Sequence, residues 1–431
     1  MIPAARISAA IEVMEDIEAR RRPASEALKD WGLSHRFAGS GDRAAIAVHV
    51  YDTLRRKASC AYVMKADTPR ALVLASLRLN GMSLEDVAAL CSGERFAPAP
   101  LDRQEREALD NPDLSAAPAP VQGDYPAWLD GALFEAFGEG RVAEAQAMTD
   151  RAPVDLRVNS LLATREEALA ALAHLSLHLT PFSPLGLRIA PRADGRPVSV
   201  QAEPAFQQGL IEIQDEASQL AALLSRVKAG ETVIDLCAGG GGKTLVLAAQ
   251  MRNQGRIVAT DNDKRRLAPI FDRMRRAAVK NVEVRAPITR HDEPLADLVQ
   301  QADCVMIDAP CTGTGTWRRN PDAKWRMRPS SFEDRQKDQA HVLDRAADLV
   351  KLGGRLVYVT CSLLSAENDV AIEGFLARHE GFVPEAPEQT AQKAGLEILA
   401  PFRSMRGLGL QMTPKRCASD GFFVSLLHRR A

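Results

Sequence analysis

The chain has 431 residues, 46% of them apolar and 26% charged, with a formal net charge of −1. That length exceeds what one core usually organises, so two or three domains are expected. The charge balance excludes a global basic field, so a nucleic-acid partner has to be held by local patches. No apolar run approaches the ~20 residues of a membrane span.

Residues 1 to 95 read as helical: Ile7, Ile11, Met14 and Ile17 recur at helical spacing, as do Ile46, Val50 and Leu54. Glu12, Glu15 and Asp16 interrupt the apolar core that an export signal needs. The Pro- and Ala-rich stretch Phe96 to Tyr125 reads as a linker. Beyond it, "PAWLDGALFEAFG" reads as a helix and "VDLRVNSL" as a strand. "TREEALAALAHL" starts a helix with a Thr cap and acids in its first turn. From about Phe206, strands and helices alternate, with strands expected at Thr232–Leu236, Arg256–Thr260, Val282–Arg285, Cys304–Asp308 and Arg355–Thr360. This is the pattern of a doubly wound α/β sheet. The final strand, "DGFFVSLLHR", has no helix after it and suits an antiparallel edge. The predicted domains are 1–124, helical with its linker; 125–205, small α/β; and 206–431, the large α/β domain.

The seven cysteines, Cys60, Cys91, Cys237, Cys304, Cys311, Cys361 and Cys417, form no CxxC pair and are odd in number. Neither a zinc ribbon nor a disulfide framework fits, no metal is expected, and a reducing cytoplasm suits the chain best.

The stretch "VIDLCAGGGGKT", Val233 to Thr244, ends like a phosphate-binding P-loop. Cys237, however, stands where that motif requires its first Gly. The alternative is a strand closing on Asp235, followed by glycines that let backbone approach a ligand at a helix N-terminus. Twenty residues past Gly241, the strand "RIVAT" ends in Asp261, an acid placed to accept both ribose hydroxyls of an adenosine cofactor. Two cysteines follow other strands: Cys311 in "CVMIDAPCTGTG", just after Asp308, and Cys361 in "RLVYVTCSLLSAEND". Parallel strands would bring both to the ligand edge of the sheet. A thiolate adding to carbon 6 of cytosine makes carbon 5 able to attack an activated methyl group. Asp308 is the candidate for the proton at the ring nitrogen. The residues alone leave open which cysteine attacks.

These motifs resemble those of the RsmB/Nop2/Sun RNA cytosine-5 methyltransferases. "DLCAGGGGKT" is similar to that family's S-adenosylmethionine loop, D-x-C-A-A-P-G-G-K-T. "DAPCTGTGTWRRNPDAKW" and "YVTCSLLSAEND" are similar to its two cysteine blocks, and "FQQGLIEIQDEASQL" and "DGFFVSLL" to further landmarks, spanning about Arg157 to His428. The resemblance implies a Rossmann-like class I methyltransferase sheet, preceded by a small α/β subdomain and an all-α NusB-like N-terminal domain. DNA cytosine methyltransferases use the Pro-Cys cysteine as nucleophile; the RNA family uses the Thr-Cys one. Cys361 is thereby implied as nucleophile and Cys311 as assisting product release. S-adenosyl-L-methionine is implied on Cys237, Ala238, Gly239, Gly240, Gly241, Gly242 and Lys243, with Asp261 on the ribose and Asp308 beside the cofactor. Two departures stand out. Gly239-Gly240 replaces Ala-Pro, so a more flexible loop with weaker cofactor affinity is expected. No acid follows the third strand until Asp292.

Downstream of Cys311, "WRRNPDAKWRMR" gathers Arg318, Arg319, Lys324 and Trp325, cations for phosphates and an indole for an unpaired base. Further basic clusters are Arg20 to Arg22 and "KRRLAPIFDRMRR". The expected partner is RNA, 16S ribosomal first, unstacked so that the cytosine enters the pocket, with the chain acting as a monomer away from membranes. The alternatives are a tRNA cytosine-5 methyltransferase, an RNA-binding ribosome assembly factor without catalysis, and a P-loop NTPase using Asp308 for magnesium.

Overall fold

Pro at the start of the helix Pro3–Arg20 costs no hydrogen bond there. The stripe Ile7, Ala10, Met14 and Ile17 is buried along one face. The computed structural model describes residues 1–192, 198–287 and 293–430 of the chain. In it, this helix belongs to a unit built from Met1–Arg151 together with Trp317–Arg328. Its core packs Pro3–Arg20 with Ala24–Ser34, Ser40–Arg55 and Pro69–Leu79; Thr68 caps the last by accepting from Ala71 N.

The Pro/Ala-rich stretch is not a loose linker. Asp102 and Glu105 form a capping box that starts the helix Arg103–Asp110, and Leu101 and Leu109 bury into the helical core. Tyr125 is 1% exposed and donates to Asp130 Oδ1 at 2.6 Å. Proline punctuates this segment, and a few apolar anchors decide where it lies.

The second unit comprises Ala152–Ala190, Ser199–Thr316 and Pro329–Ala431. Its smaller sheet contains β1 (Val154–Val158), β2 (His178–Leu179), β3 (Gly186–Ile189) and β4 (Ile211–Ile213), all antiparallel, in the order β2-β3-β1-β4. Its larger sheet contains β5 (Thr232–Asp235), β6 (Arg256–Thr260), β7 (Val282–Arg285), β8 (Ala302–Asp308), β9 (Val350–Thr360), β10 (Phe382–Pro384), β11 (Leu410–Met412) and β12 (Phe422–Arg429). The order is β10-β12-β9-β8-β5-β6-β7, with β11 also on β12. Strands β5 to β9 pair in parallel, and β12 runs antiparallel to β9. Their apolar runs are buried from both sides, as parallel strands require.

The last strand corrects an expectation. β12 is antiparallel but is not an edge, because β10 covers it with Pro384 opposite Leu427. A three-residue strand such as β10 carries too little pattern to be seen beforehand. The chain leaves β5 toward β6 and β7, then returns to β8 on the other side. The topological switch, where open α/β sheets bind their ligands, therefore lies at the carboxyl ends of β5 and β8.

Candidate active site

β5 ends on Asp235, and the loop from Leu236 to Gly241 leads into the helix Gly242–Gln250. The loop is held along its length. Leu236 N donates to Met306 O at 2.9 Å, Ala238 N to Thr260 O at 2.9 Å and Gly239 N to Asp261 Oδ2 at 3.1 Å. Gly239 and Gly241 take left-handed φ values of 50° and 80°. A Cβ at Gly241 would lie 2.4 Å from Ile270 Cγ1, so glycine is required there on two counts. Arg273, itself paired with Glu212 at 3.3 Å, donates to Gly240 O at 2.7 Å. The bracing that a proline would supply covalently comes here from a side chain, against the expectation of a slack loop.

Asp261, 4% exposed, closes β6 and also accepts from Asp263 N at 3.0 Å. It borders a cavity of about 660 Å³ with Cys237, Arg266, Pro310 and His341 among its lining, within the size range of small-molecule sites. Burial, then the carboxylates of Asp261 and Asp308, push the Cys237 thiol well up, so it lines the cavity as a neutral group. Lys243 is 6% exposed; its Nζ donates to Asp308 Oδ2 at 2.7 Å and lies 5.0 Å from the Phe422 ring centre. The lysine therefore fixes Asp308 rather than reaching for a phosphate.

From the stretch expected to lack an acid, Pro287, Glu293 and Pro294 line the cavity; Asp292 lies outside the described residues. An apolar-and-polar cavity beside a buried acid and a glycine cradle fits an adenosine-bearing cofactor. Among the described residues no group of three His, Cys, Asp or Glu side chains is placed to hold a metal, and no helix is long and apolar enough to cross a membrane.

The cysteines form the second half of the site. β8 delivers Cys311 and β9 delivers Cys361, and their sulfurs stand 3.3 Å apart. Gly315 N donates to Cys361 O at 2.9 Å, stitching the two loops together. The facing Cys361 sulfur, then burial and the Glu367 carboxylate, push the Cys311 thiol well up. Either sulfur can donate to the other across that 3.3 Å contact.

The four residues expected to contact RNA lie in the first unit, in the segment Trp317–Arg328. Lys324 is 1% exposed and donates to Arg55 O at 2.8 Å and Asp124 O at 2.6 Å. Trp325 donates from Nε1 to Leu54 O at 2.7 Å. Arg318 is buried and Arg319 half-buried. So placed, the Lys324 ammonium has no face to offer a phosphate.

The other basic clusters are also engaged. Arg22 pairs with Asp16 and Asp30, and in "KRRLAPIFDRMRR" Arg273 donates to the glycine loop while Arg266 pairs with Asp261 at 3.5 Å. Sequence reasoning offered that run as a further basic cluster for nucleic acid. It also passed over Glu367, which bonds to both cysteine loops, and Gln339, which bonds to the Cys311 loop and to Glu367; their signal lies only in the pairing of β8 with β9.

Two family models match the chain: the 16S rRNA methyltransferase RsmB/F model over residues 222–428, and the RsmF/B-like ferredoxin-like domain over residues 125–194. The chain is similar to the probable ribosomal RNA small subunit methyltransferase B of Synechocystis sp., at 32% identity over 76% of this chain and 71% of that protein. It is 35% identical to ribosomal RNA small subunit methyltransferase B of Klebsiella pneumoniae, over 71% of this chain and 66% of that one. The solved structure of PH0851 matches with a TM-score of 0.75 and 26% identity, covering 100% of this chain and 99% of that one. A methyltransferase homolog from Pyrococcus horikoshii matches with a TM-score of 0.57 and 26% identity, covering 72% and 97%.

Proposed function

The chain belongs to the RsmB/F family of S-adenosylmethionine-dependent ribosomal RNA methyltransferases, and from that premise we propose that it methylates carbon 5 of a cytosine in 16S ribosomal RNA through a covalent adduct on Cys361. The observation that carries the reading is the pair of sulfurs 3.3 Å apart, in the same unit as the glycine loop and the buried Asp261. Two thiols in hydrogen-bond contact suit two-step covalent chemistry, one group attacking and the other serving the exit.

When bound, S-adenosylmethionine supplies a methyl group at a sulfonium carbon. Asp261 would take the ribose hydroxyls and Cys237 to Gly242 would line the cofactor, while Lys243 holds Asp308 at the pocket. The Cys361 sulfur adds to carbon 6 of the cytosine, while Asp308 governs the proton at the ring nitrogen. Carbon 5, now enamine-like, would take the methyl group, the electrons of the broken carbon–sulfur bond staying on the cofactor's sulfur as a neutral thioether, and would later give up its hydrogen as a proton to a base. The electrons of that C–H bond restore the double bond as the Cys361 sulfur leaves. Cys311, within reach of that sulfur, assists the elimination.

The relatives named for the small ribosomal subunit favour that RNA over tRNA. Contact with the RNA is assigned to Arg319 before Lys324, since Lys324 is buried in its own unit. Cys361→Ala is expected to abolish methyl transfer, and Cys311→Ala to accumulate a protein–RNA species that survives denaturing electrophoresis. Bisulfite sequencing of RNA from a deletion strain, complemented with each variant, identifies the nucleotide. Normal cytosine methylation by the Cys361→Ala variant would sink the mechanism.

A further inference from the structure

Glu367 is fully buried, and among the described residues its side chain bonds to Thr312, Gln339 and Ser362, none of them a cation. Its carboxylate is satisfied by hydrogen-bond donors alone. Oε1 accepts from Thr312 N at 2.8 Å and from Gln339 Nε2 at 3.1 Å; Oε2 accepts from Thr312 Oγ1 and Ser362 Oγ, both at 2.5 Å. Thr312 is the residue after Cys311, and Ser362 is the residue after Cys361. Gln339 also donates to Pro310 O at 3.0 Å, the residue before Cys311. From the other end, Tyr358 on β9 donates its hydroxyl to Glu367 O at 2.7 Å. One side chain thus grips both cysteine loops one residue from each sulfur. A buried carboxyl without a cation is costly, and burial does push this one upward.

Resting on the reading of Cys311 and Cys361 as the reacting pair, we propose that Glu367 is a positioning residue: its carboxylate sets the spacing of the two sulfurs by tying together the loops that carry them. A side chain without that pair of polar atoms cannot do this: Ala leaves the Thr312 and Gln339 N–H groups without an acceptor, whereas Gln can keep them on its oxygen and donate its NH2 to the Thr312 and Ser362 hydroxyls, which accept as well as donate. The negative charge has a second effect, since it helps keep Cys311 a thiol beside the attacking sulfur.

The test uses the full chain. Phenylarsine oxide condenses with two neighbouring thiols, losing one water, so its capture rate reads sulfur spacing without RNA or cofactor. Capture that disappears in Cys361→Ala defines the signal from this pair. Glu367→Ala is expected to keep S-adenosylmethionine affinity within about threefold, to slow capture about tenfold, and to lower kcat about a hundredfold, in line with misplaced reacting groups. Where Glu367→Ala fails to fold, Thr312→Val removes a single hydroxyl and is expected to lower both rates about tenfold, the scale of one lost hydrogen bond. Wild-type capture in a folded Glu367→Ala, or in Thr312→Val, overturns the proposal, whatever happens to kcat. Should Cys361→Ala stay active, the covalent reading fails, while the arsenical still decides what Glu367 does to the pair.

Discussion

Asp235 sits where the first parallel strand meets the glycine loop, with no exposed surface. Thr244 Oγ1 donates to its Oδ2 at 2.7 Å, and among the described residues its Oδ1 has no partner. Burial pushes this carboxyl up to about 7; Thr244 and the Lys243 ammonium oppose the shift, and the Asp308 and Asp261 carboxylates add to it. In the unfolded chain an aspartate gives up its proton near pH ~4. Between those values the folded state holds a proton that the unfolded state has released. Stability from this group is therefore present at low pH, falls as pH rises from ~4 to ~7, and is flat above; the span is up to about 4 kcal/mol. Asp235→Asn keeps the shape and removes the titration. Urea melts from pH 5 to pH 8 are expected to show the wild type losing stability relative to the variant as pH rises. Parallel profiles would mean that Asp235 is ionised throughout.

At the scale of elements, the segment Trp317–Arg328 separates what was legible from what was not. Its composition, two tryptophans among arginines and a lysine, is the same whether it faces a nucleic acid or fastens a fold. The strands around it were read from apolar runs, which report burial directly, and β5, β6, β7 and β8 stand within two residues of where those runs end. A cation's role depends on what faces it, and here Leu54, Arg55 and Asp124, all distant in sequence, supply carbonyls to Trp325 and Lys324. Likewise Asp261, Cys311 and Cys361 were visible because each ends a strand at the ligand edge. Glu367 was not, because its four donors come from three separate segments. Burial pushes the Lys324 ammonium down to about 8, against the pull of Asp124. Lys324→Met, which strands two carbonyls, is expected to destabilise the first unit by about 2–4 kcal/mol and to leave the salt dependence of RNA binding unchanged. A phosphate contact would instead lower the slope of log affinity against log salt by nearly one. Unchanged melting with a shallower slope would return Lys324 to the RNA surface.

For the whole molecule, a net charge of −1 gives no long-range pull toward RNA; what organises function is the division of labour between two units. The glycine loop, Asp261, Asp308 and both cysteines all belong to the second, while the first is helical and holds the tryptophan-rich segment. Cofactor binding is therefore expected to be felt unevenly. A ligand that binds only the folded state stabilises it by RT ln(1 + [L]/Kd), about 2.7 kcal/mol at a hundredfold excess over Kd. In hydrogen-exchange mass spectrometry, S-adenosylmethionine is expected to slow exchange at Leu236–Gly242 and at Thr260–Asp263. The helix Ser40–Arg55 in the first unit should exchange unchanged. The two other readings of the loop make different forecasts. An assembly factor without catalysis gives no protection at millimolar S-adenosylmethionine, and calorimetry registers no heat. A phosphate-binding loop gives protection with ATP instead, which Lys243 argues against, since its ammonium is already spent on Asp308. Protection confined to the two stretches that meet at Asp261, and absent with ATP, is the pattern that only an adenosine-and-methionine cradle produces.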